Sequence, residues 1–102
     1  MKIPSQITLR KYGLTDLEYA EMFNRQEGVC AICKKPPKEG RTLYIDHVHV
    51  KGWKKMLPHE RKQYVRGVLC YFCNRFYMAK CMTEDKAFAI IEYIQAYEGR
   101  TR

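Results

Sequence analysis

Four cysteines form two pairs with the spacing of metal knuckles, Cys30/Cys33 and Cys70/Cys73. A gap of two residues lets one turn aim both thiolates at a tetrahedral metal about 2.3 Å from each sulfur. The 36 residues between Cys33 and Cys70 must loop out and return. The pattern favours one structural zinc ion. Iron is the competing metal because four thiolates hold either, although a basic chain with a histidine-rich strand suits electron transfer less well.

The second concentration of reactive groups is Asp46-His47-Val48-His49. A neutral imidazole can take a proton from water near pH 7, and an adjacent aspartate can ligate a hard divalent cation. Asn74, directly after the last zinc cysteine, offers an amide oxygen to the same cation. Phosphodiester hydrolysis needs this combination of base and cation. The alternative to catalysis is structural: Asp46 would be a turn or capping residue, and both histidines would pack beside the zinc.

The elements that must position these groups are short. Thr15-Asp16-Leu17-Glu18 is a capping-box pattern that predicts a helix over residues 15–26, with Leu17 on its apolar face and Gly28 ending it. Residues 43–50 are β-rich and alternate so that Asp46 and His47 lie on opposite faces unless a bulge re-aims one of them. Residues 65–70 predict a second strand, and residues 73–80 predict a helical run.

The remaining chain divides into flanking segments. Residues 1–14 are mixed and basic and are expected to be extended over the surface. Thr83 caps a final helix with apolar residues at helical spacing before Gly99. The predicted domains are therefore a basic N-terminal segment (1–14), a zinc-braced core (15–80) and a C-terminal helix for packing or dimerisation (81–102). Cys81 is expected to be a small buried hydrophobe. Five aromatic residues are expected to pack around the zinc rather than stack on bases: Trp53, Tyr71, Phe72, Phe76 and Tyr77.

Composition limits the partners. The chain has 102 residues, enough for one small domain, and 19 Lys and Arg against 11 Asp and Glu give a net charge of +8. Four zinc-bound thiolates and the ion itself would lower that charge to about +6. Such an excess favours a polyanion such as nucleic acid, although a well-solvated surface is the simpler explanation. No apolar run approaches a membrane span, and no secretory signal opens the chain, so we expect a soluble protein without a membrane partner.

Four segments resemble the recombination endonuclease VII family of phage enzymes, within the HNH or ββα-metal (His-Me finger) nucleases. They are Tyr12-Gly13-Leu14-Thr15, Gly28-Val29-Cys30-Ala31-Ile32-Cys33, Asp46-His47-Val48-His49, and the stretch from Val65 to Asn74 that reads VRGVLCYFCN. They follow the family's order and cover most of residues 12–80. The resemblance implies a small zinc-stabilised α+β fold, in which a ββα-metal motif is flanked by an N-terminal and a C-terminal helix.

The resemblance also implies roles for single residues. The four cysteines bind zinc, Asp46 and Asn74 hold a catalytic Mg²⁺ or Mn²⁺, His47 is the general base, and His49 contacts the phosphate or assists. Arg66 would face the DNA backbone, and further DNA contacts are expected from Lys54, Lys55 and Arg75. The implied activity is metal-dependent hydrolysis of phosphodiester bonds in DNA, in the cytoplasm of the host cell if a phage encodes the protein.

Two departures from the family pattern shape this hypothesis. The connection from Val50 to Tyr64 is longer than usual, and its basic residues, Arg61 and Lys62 among them, can add DNA contacts. Little chain follows the last helix, which favours general nicking of duplex DNA over the resolution of branched junctions. A zinc-stabilised DNA-binding module without catalysis is the alternative function, and a protein-interaction zinc domain is a third. Both a monomer and a homodimer are compatible with the sequence.

Overall fold

The computed structural model describes residues 2–78 and 82–101. Cys81, predicted to be buried, lies outside the described residues. The helices are α1 (Gln6–Lys11), α2 (Asp16–Arg25), α3 (Pro58–Arg61) and α4 (Glu84–Thr101), and the strands are β1 (Tyr44–His47) and β2 (Val65–Leu69). Turns of 3₁₀ helix cover Trp53–Lys55 and Lys62–Tyr64, and a π-helical turn covers Cys73–Tyr77. The predicted α+β class is confirmed.

The N-terminal segment is helical, so the prediction of an extended segment is wrong. Ser5 caps α1, its hydroxyl accepting from the Thr8 N–H at 3.3 Å, and Leu9 is fully buried. A six-residue helix with one buried residue has too little periodicity for a sequence pattern to show. Gly13 then turns the chain at φ +71°, where a Cβ would collide with the Pro58 carbonyl. Only glycine allows this close approach to α3.

Helix α2 begins with the predicted capping box. The Thr15 N–H donates to Glu18 Oε1 at 3.0 Å, and the Glu18 N–H donates to Thr15 Oγ1 at 3.1 Å. Its buried face differs from the prediction, because Tyr19 is fully buried whereas Leu17 is 68% exposed. Tyr19 can occupy the core because its hydroxyl has a partner there: it donates to the Leu43 carbonyl at 2.8 Å. The core therefore contains a tyrosine anchor on α2.

The two strands pair antiparallel, and the pairing is interrupted beside the candidate catalytic residues. Asp46 is opposite Gly67, whereas His47 is opposite Val65, so Arg66 is an extra residue on β2. This is the β-bulge that the alternating pattern required if Asp46 and His47 were to be re-aimed. Strand β1 is shorter than the predicted residues 43–50. Beyond its end, the Val48 N–H donates to the Tyr64 carbonyl at 2.8 Å.

A glutamine side chain pairs with β2 in place of a third strand. Gln26 Nε2 donates to the Val68 carbonyl at 2.8 Å, and the Val68 N–H donates to Gln26 Oε1 at 3.0 Å. Gln26 Nε2 also donates to the Val29 carbonyl at 3.0 Å. A Cβ on Gly67 would be 2.6 Å from Gln26 Oε1, so glycine leaves the space that the amide needs. The end of α2 is thereby fixed to β2.

One core joins these elements, and it includes two of the four knuckle cysteines. Its buried members come from α1, α2, both strands and the segments between them: Leu9, Leu14, Tyr19, Cys30, Leu43, Ile45, Val68, Leu69 and Cys73.

No helix within the described ranges is long and apolar enough to cross a bilayer.

The aromatic residues within and after the second knuckle lie largely outside this core, so the prediction that they pack around the zinc is wrong. Tyr71, Phe72, Phe76 and Tyr77 are each at least half exposed. Within the π-helical turn Cys73 is buried, whereas Phe76 and Tyr77 are exposed. Phe72 packs mainly on Phe76, with ring centroids 4.9 Å apart.

Helix α4 begins as predicted, with the Lys86 N–H donating to Thr83 Oγ1 at 3.2 Å. It passes Gly99 and ends at Thr101, beyond the predicted end. A single glycine costs a helix only about 1 kcal/mol, so it does not stop one reliably. Four of its apolar residues are exposed: Phe88, Ile90, Ile91 and Ile94.

Replacing Gln26 by Ala tests the amide that substitutes for a strand. We expect the free energy of unfolding to fall by about 1–3 kcal/mol, because the Val68 N–H would lose its partner at a buried position. Urea denaturation of the zinc-loaded protein measures this. Gln63→Ala is the matched control, since Gln63 is exposed and its amide bonds only the nearby Glu60 carbonyl. Equal midpoints for the two variants would contradict the assignment.

Candidate metal centre and active site

The four knuckle cysteines converge as the spacing predicts. The sulfurs of Cys30, Cys33, Cys70 and Cys73 all lie within 4.8 Å of one another. The Cys33 and Cys70 sulfurs are 3.8 Å apart. Sulfurs that bind one tetrahedral zinc at about 2.3 Å are roughly 3.8 Å apart by the same geometry. Thiolate donors at this separation fit zinc, so the cluster can hold a structural Zn²⁺.

Hydrogen bonds from the backbone prepare the thiolates. The Ile32 N–H lies 3.5 Å from the Cys30 sulfur, and the Cys73 N–H lies 3.4 Å from the Cys70 sulfur. Burial opposes ionisation of Cys30, but backbone hydrogen bonds from Cys70, Cys33 and Ile32 outweigh it and lower the pKa of Cys30 to about 6. Burial and the neighbouring cysteines raise the pKa of Cys73 to about 12. A divalent cation would remove the repulsion that keeps the later thiols protonated.

The second knuckle also positions Asn74. The Asn74 N–H donates to the Cys70 carbonyl at 3.0 Å, and the Met78 N–H donates to the Cys73 carbonyl at 3.0 Å. These bonds make the turn an extension of the knuckle. Asn74 is half-buried and faces a cavity of about 390 Å³. The residues lining this cavity come from the α1–α2 turn, β1 and the π-helical turn: Tyr12, Tyr44, Ile45, His47, His49, Tyr71, Asn74, Arg75 and Met78.

His47 is held in this cavity by stacked rings. Its imidazole stacks on His49, with centroids 4.8 Å apart and planes at 4°, and on Trp53, with centroids 4.4 Å apart and planes at 22°. The Tyr12 ring is tilted against it at 5.4 Å. Burial and the nearby His49 lower the pKa of His47, although Asp46 opposes them. His47 is therefore suited to be neutral at pH 7.

Trp53 and Tyr12 are the residues of this site to which sequence reasoning gave no role in the chemistry. Arg61 fixes Trp53, because its guanidinium lies 4.3 Å from the indole ring and donates to the carbonyls of Trp53, Lys54 and Lys11. Trp53 Nε1 is buried without a hydrogen-bond partner among the described residues. The sequence does show Trp53 as an aromatic residue inside a basic connection. That signal does not reveal that Trp53 stacks on His47.

Asp46 is placed differently from His47. It is 5% exposed and is absent from the residues that line the cavity. Arg66 binds both of its oxygens, with Nε donating to Oδ2 at 2.8 Å and Nη2 donating to Oδ1 at 3.1 Å. Nη2 also lies 3.3 Å from the His47 carbonyl. The structure therefore brings together His47, His49 and Asn74, with Asp46 held next to them by Arg66.

The other predicted DNA contacts divide into two groups. Lys54, Lys55 and Arg75 are exposed, and Arg75 lines the cavity. Two basic residues of the long connection are engaged within the protein instead. Arg61 binds three backbone carbonyls, and Lys62 forms an ion pair with Glu18. The long connection is thus partly structural.

Fold and site together define a small α+β domain in which two cysteine knuckles adjoin a histidine-lined cavity. A family model described as recombination endonuclease VII matches residues 5–96, and the chain belongs to this family. The Gene 59 proteins of Mycobacterium phages L5 and D29 are each 34% identical to it over 68 residues, or 67% of this chain. The match covers 35% and 34% of those proteins, so the chain spans about a third of their length. No solved structure matches.

Cys70→Ser tests the metal centre. We expect zinc content to fall from one ion per chain and the protein to lose its cooperative unfolding transition, because metal binding contributes folding free energy directly. Atomic absorption and circular dichroism measure the two effects. Cys81→Ser is the control and should retain both properties. Full zinc content in Cys70→Ser would contradict the assignment. Mild EDTA treatment that spares the bound zinc should leave the fold intact.

Proposed function

We propose that the protein is a metal-dependent endonuclease that hydrolyses phosphodiester bonds and nicks duplex DNA. The observation that carries this proposal is the cavity in which His47, His49 and Asn74 meet beside the thiolate cluster. Membership of the recombination endonuclease VII family supports it. Strands β1 and β2 and the Cys73–Tyr77 turn would then form a ββα-metal motif of the HNH type, braced by zinc.

His47 is the general base in this proposal. A ring nitrogen takes a proton from water, whose oxygen bonds to phosphorus as the bond from phosphorus to the leaving oxygen breaks. The stacked rings restrict the orientation of the imidazole, which lowers the entropic cost of bringing its nitrogen to the attacking water. His49 is more exposed and stacked on His47, and it contacts the phosphate or assists.

Asp46 and Asn74 have the donor types that suit Mg²⁺ or Mn²⁺, a carboxylate and an amide oxygen. The bound cation would neutralise charge that develops on the phosphate and the leaving oxygen. Asn74 already lies at the cavity, whereas both Asp46 oxygens accept hydrogen bonds from Arg66. The residue types fit the cation, and the carboxylate would have to exchange partners to bind it.

The net charge of +8 supports DNA as the partner, because neutralising phosphates releases counterions. Arg75 at the cavity and exposed Lys54 and Lys55 are proposed to contact the backbone, with Arg66 joining them once it leaves Asp46. The phage relatives support a role in the cytoplasm of the host cell. Exposed apolar residues on α4 are compatible with a homodimer as well as a monomer.

His47→Ala tests the catalytic assignment. We expect the rate of nicking of supercoiled plasmid with Mg²⁺ to fall about 10²–10⁴-fold, because the water loses its proton acceptor. Gel separation of nicked and supercoiled forms measures the rate.

His59→Ala is the matched control, because His59 is exposed on α3 and absent from the cavity. Its rate should equal that of the wild type. Full activity in His47→Ala would refute the base assignment. Salt-sensitive DNA binding by the wild type without cleavage under Mg²⁺ or Mn²⁺ would favour the non-catalytic DNA-binding module instead.

The lowered pKa of His47 predicts the pH dependence. The base acts when neutral, so activity should persist below pH 6.5, the ordinary imidazole value, and disappear as the pH falls through the lowered pKa. The pH profile of kcat/KM at saturating Mg²⁺ measures this. An acid limb centred above neutral pH would show that another group controls the reaction.

A further inference from the structure

Arg66 and Asp46 form the ion pair closest to the candidate site. The guanidinium meets the carboxylate with two parallel N–H···O bonds of 2.8 and 3.1 Å, the strong bidentate arrangement. The Asp46 side chain is 7% exposed and that of Arg66 is 38% exposed. The Asp46 carboxylate is therefore fixed inside the protein, whereas the Arg66 guanidinium reaches it from the surface.

The β-bulge produces this contact. Arg66 is the residue without an opposite partner at the Asp46–His47 step, so its side chain reaches back to the carboxylate and to the His47 carbonyl. In a regular antiparallel ladder, neighbouring residues point to opposite faces. The strand irregularity is thus what supplies Asp46 with a cationic partner.

A divalent cation would compete with this guanidinium for the carboxylate. Each oxygen already accepts one hydrogen bond from Arg66, and the positive charge of the guanidinium a few ångströms away repels a second cation. Arg66 has space to leave, because it also lines a second cavity of about 360 Å³ together with Glu84 at the start of α4. Glu84 offers a second carboxylate in the wall of that cavity.

We propose that Arg66 is a positioning residue that holds Asp46 in place before the divalent cation arrives and competes with the cation for the carboxylate. This inference rests on the proposed function for the identity of the metal ligand. Arg66 therefore limits the affinity of the site for the divalent cation. Its departure from Asp46 is coupled to cation binding and frees the guanidinium for a phosphate.

Mn²⁺ binding to the zinc-loaded full chain without DNA tests this, measured by the electron paramagnetic resonance signal of the free ion. We expect Arg66→Gln to bind Mn²⁺ roughly 10- to 100-fold more tightly than the wild type, since a charge-assisted bidentate contact no longer has to be displaced. Arg66→Lys, which keeps the charge without the bidentate geometry, should lie between the two.

Arg75→Gln is the matched control. It removes the same charge from an exposed arginine at the cavity that makes no hydrogen bond to Asp46 in the described structure, so it reports the general electrostatic effect. Its Mn²⁺ affinity should rise much less than that of Arg66→Gln. An equal change in affinity for Arg66→Gln and Arg75→Gln, or weaker binding by Arg66→Gln, would overturn the proposal.

Loss of Arg66 leaves a buried carboxylate without its partner, so Arg66→Gln will be less stable. Its melting temperature should then rise more on addition of Mn²⁺ than that of the wild type, because the cation replaces the missing charge. Folding that depends on Mn²⁺ would support the proposal. If Arg66→Gln does not fold even with Mn²⁺, Arg66→Lys decides, and an affinity equal to the wild type would refute the competition.

Asp46→Asn separates this inference from the proposed function. It should abolish the Mn²⁺ site in the presence or absence of Arg66, and retained binding would refute both. Tighter Mn²⁺ binding by Arg66→Gln in a protein that never nicks DNA would uphold the competition while refuting the endonuclease. Cleavage that requires Asp46, without any effect of Arg66→Gln on Mn²⁺ affinity, would refute the competition alone.

Discussion

The convergence of four cysteine sulfurs is the constraint on which the structure depends. The core cluster of the described residues has nine buried members, and two of them are knuckle cysteines, so a bound zinc ion would brace the core from within. Cys30 and Cys73 belong to the core itself, and the Cys70 carbonyl accepts the Asn74 N–H. The same knuckle that would hold zinc therefore sets the position of Asn74. A closed thiolate site does no chemistry, but it connects the start of the π-helical turn to the end of α2.

The second constraint is electrostatic and local to the sheet. A carboxylate that is almost completely buried is costly unless a cation compensates it, and replacing that cation is costly as well. Arg66 meets this requirement through the bulge, with Gly67 beside it leaving space for the Gln26 amide. Gln26 thus binds the backbone of β2 at Val68, whereas Arg66, two residues earlier on β2, binds the side chain of Asp46 on β1.

Features with local chemical causes were predictable from the sequence. The C-x-x-C spacing located the thiolate cluster, the capping box and the Thr83 cap located the starts of α2 and α4, and the conflict between Asp46 and His47 indicated a bulge. Features decided by tertiary packing were not. Tyr19 rather than Leu17 occupies the core because of a hydrogen bond to a carbonyl 24 residues away. Likewise, α1 is too short for a periodic signal, and the local pattern around the second knuckle does not show that Tyr71 and Phe76 are exposed.

The environment of His47 shows most clearly why a motif is insufficient. Its neighbours Tyr12 and Trp53 come from the turn after α1 and from the long basic connection, segments that carry no catalytic pattern. Arg61 joins these two segments by binding the carbonyls of Lys11 and Trp53 while its guanidinium lies over the indole. An arginine that resembles a DNA contact in the sequence is therefore a structural clamp. The neighbours of His47 therefore come from segments outside the cysteine knuckles as well, and residues from Lys11 to Asn74 contribute to the site.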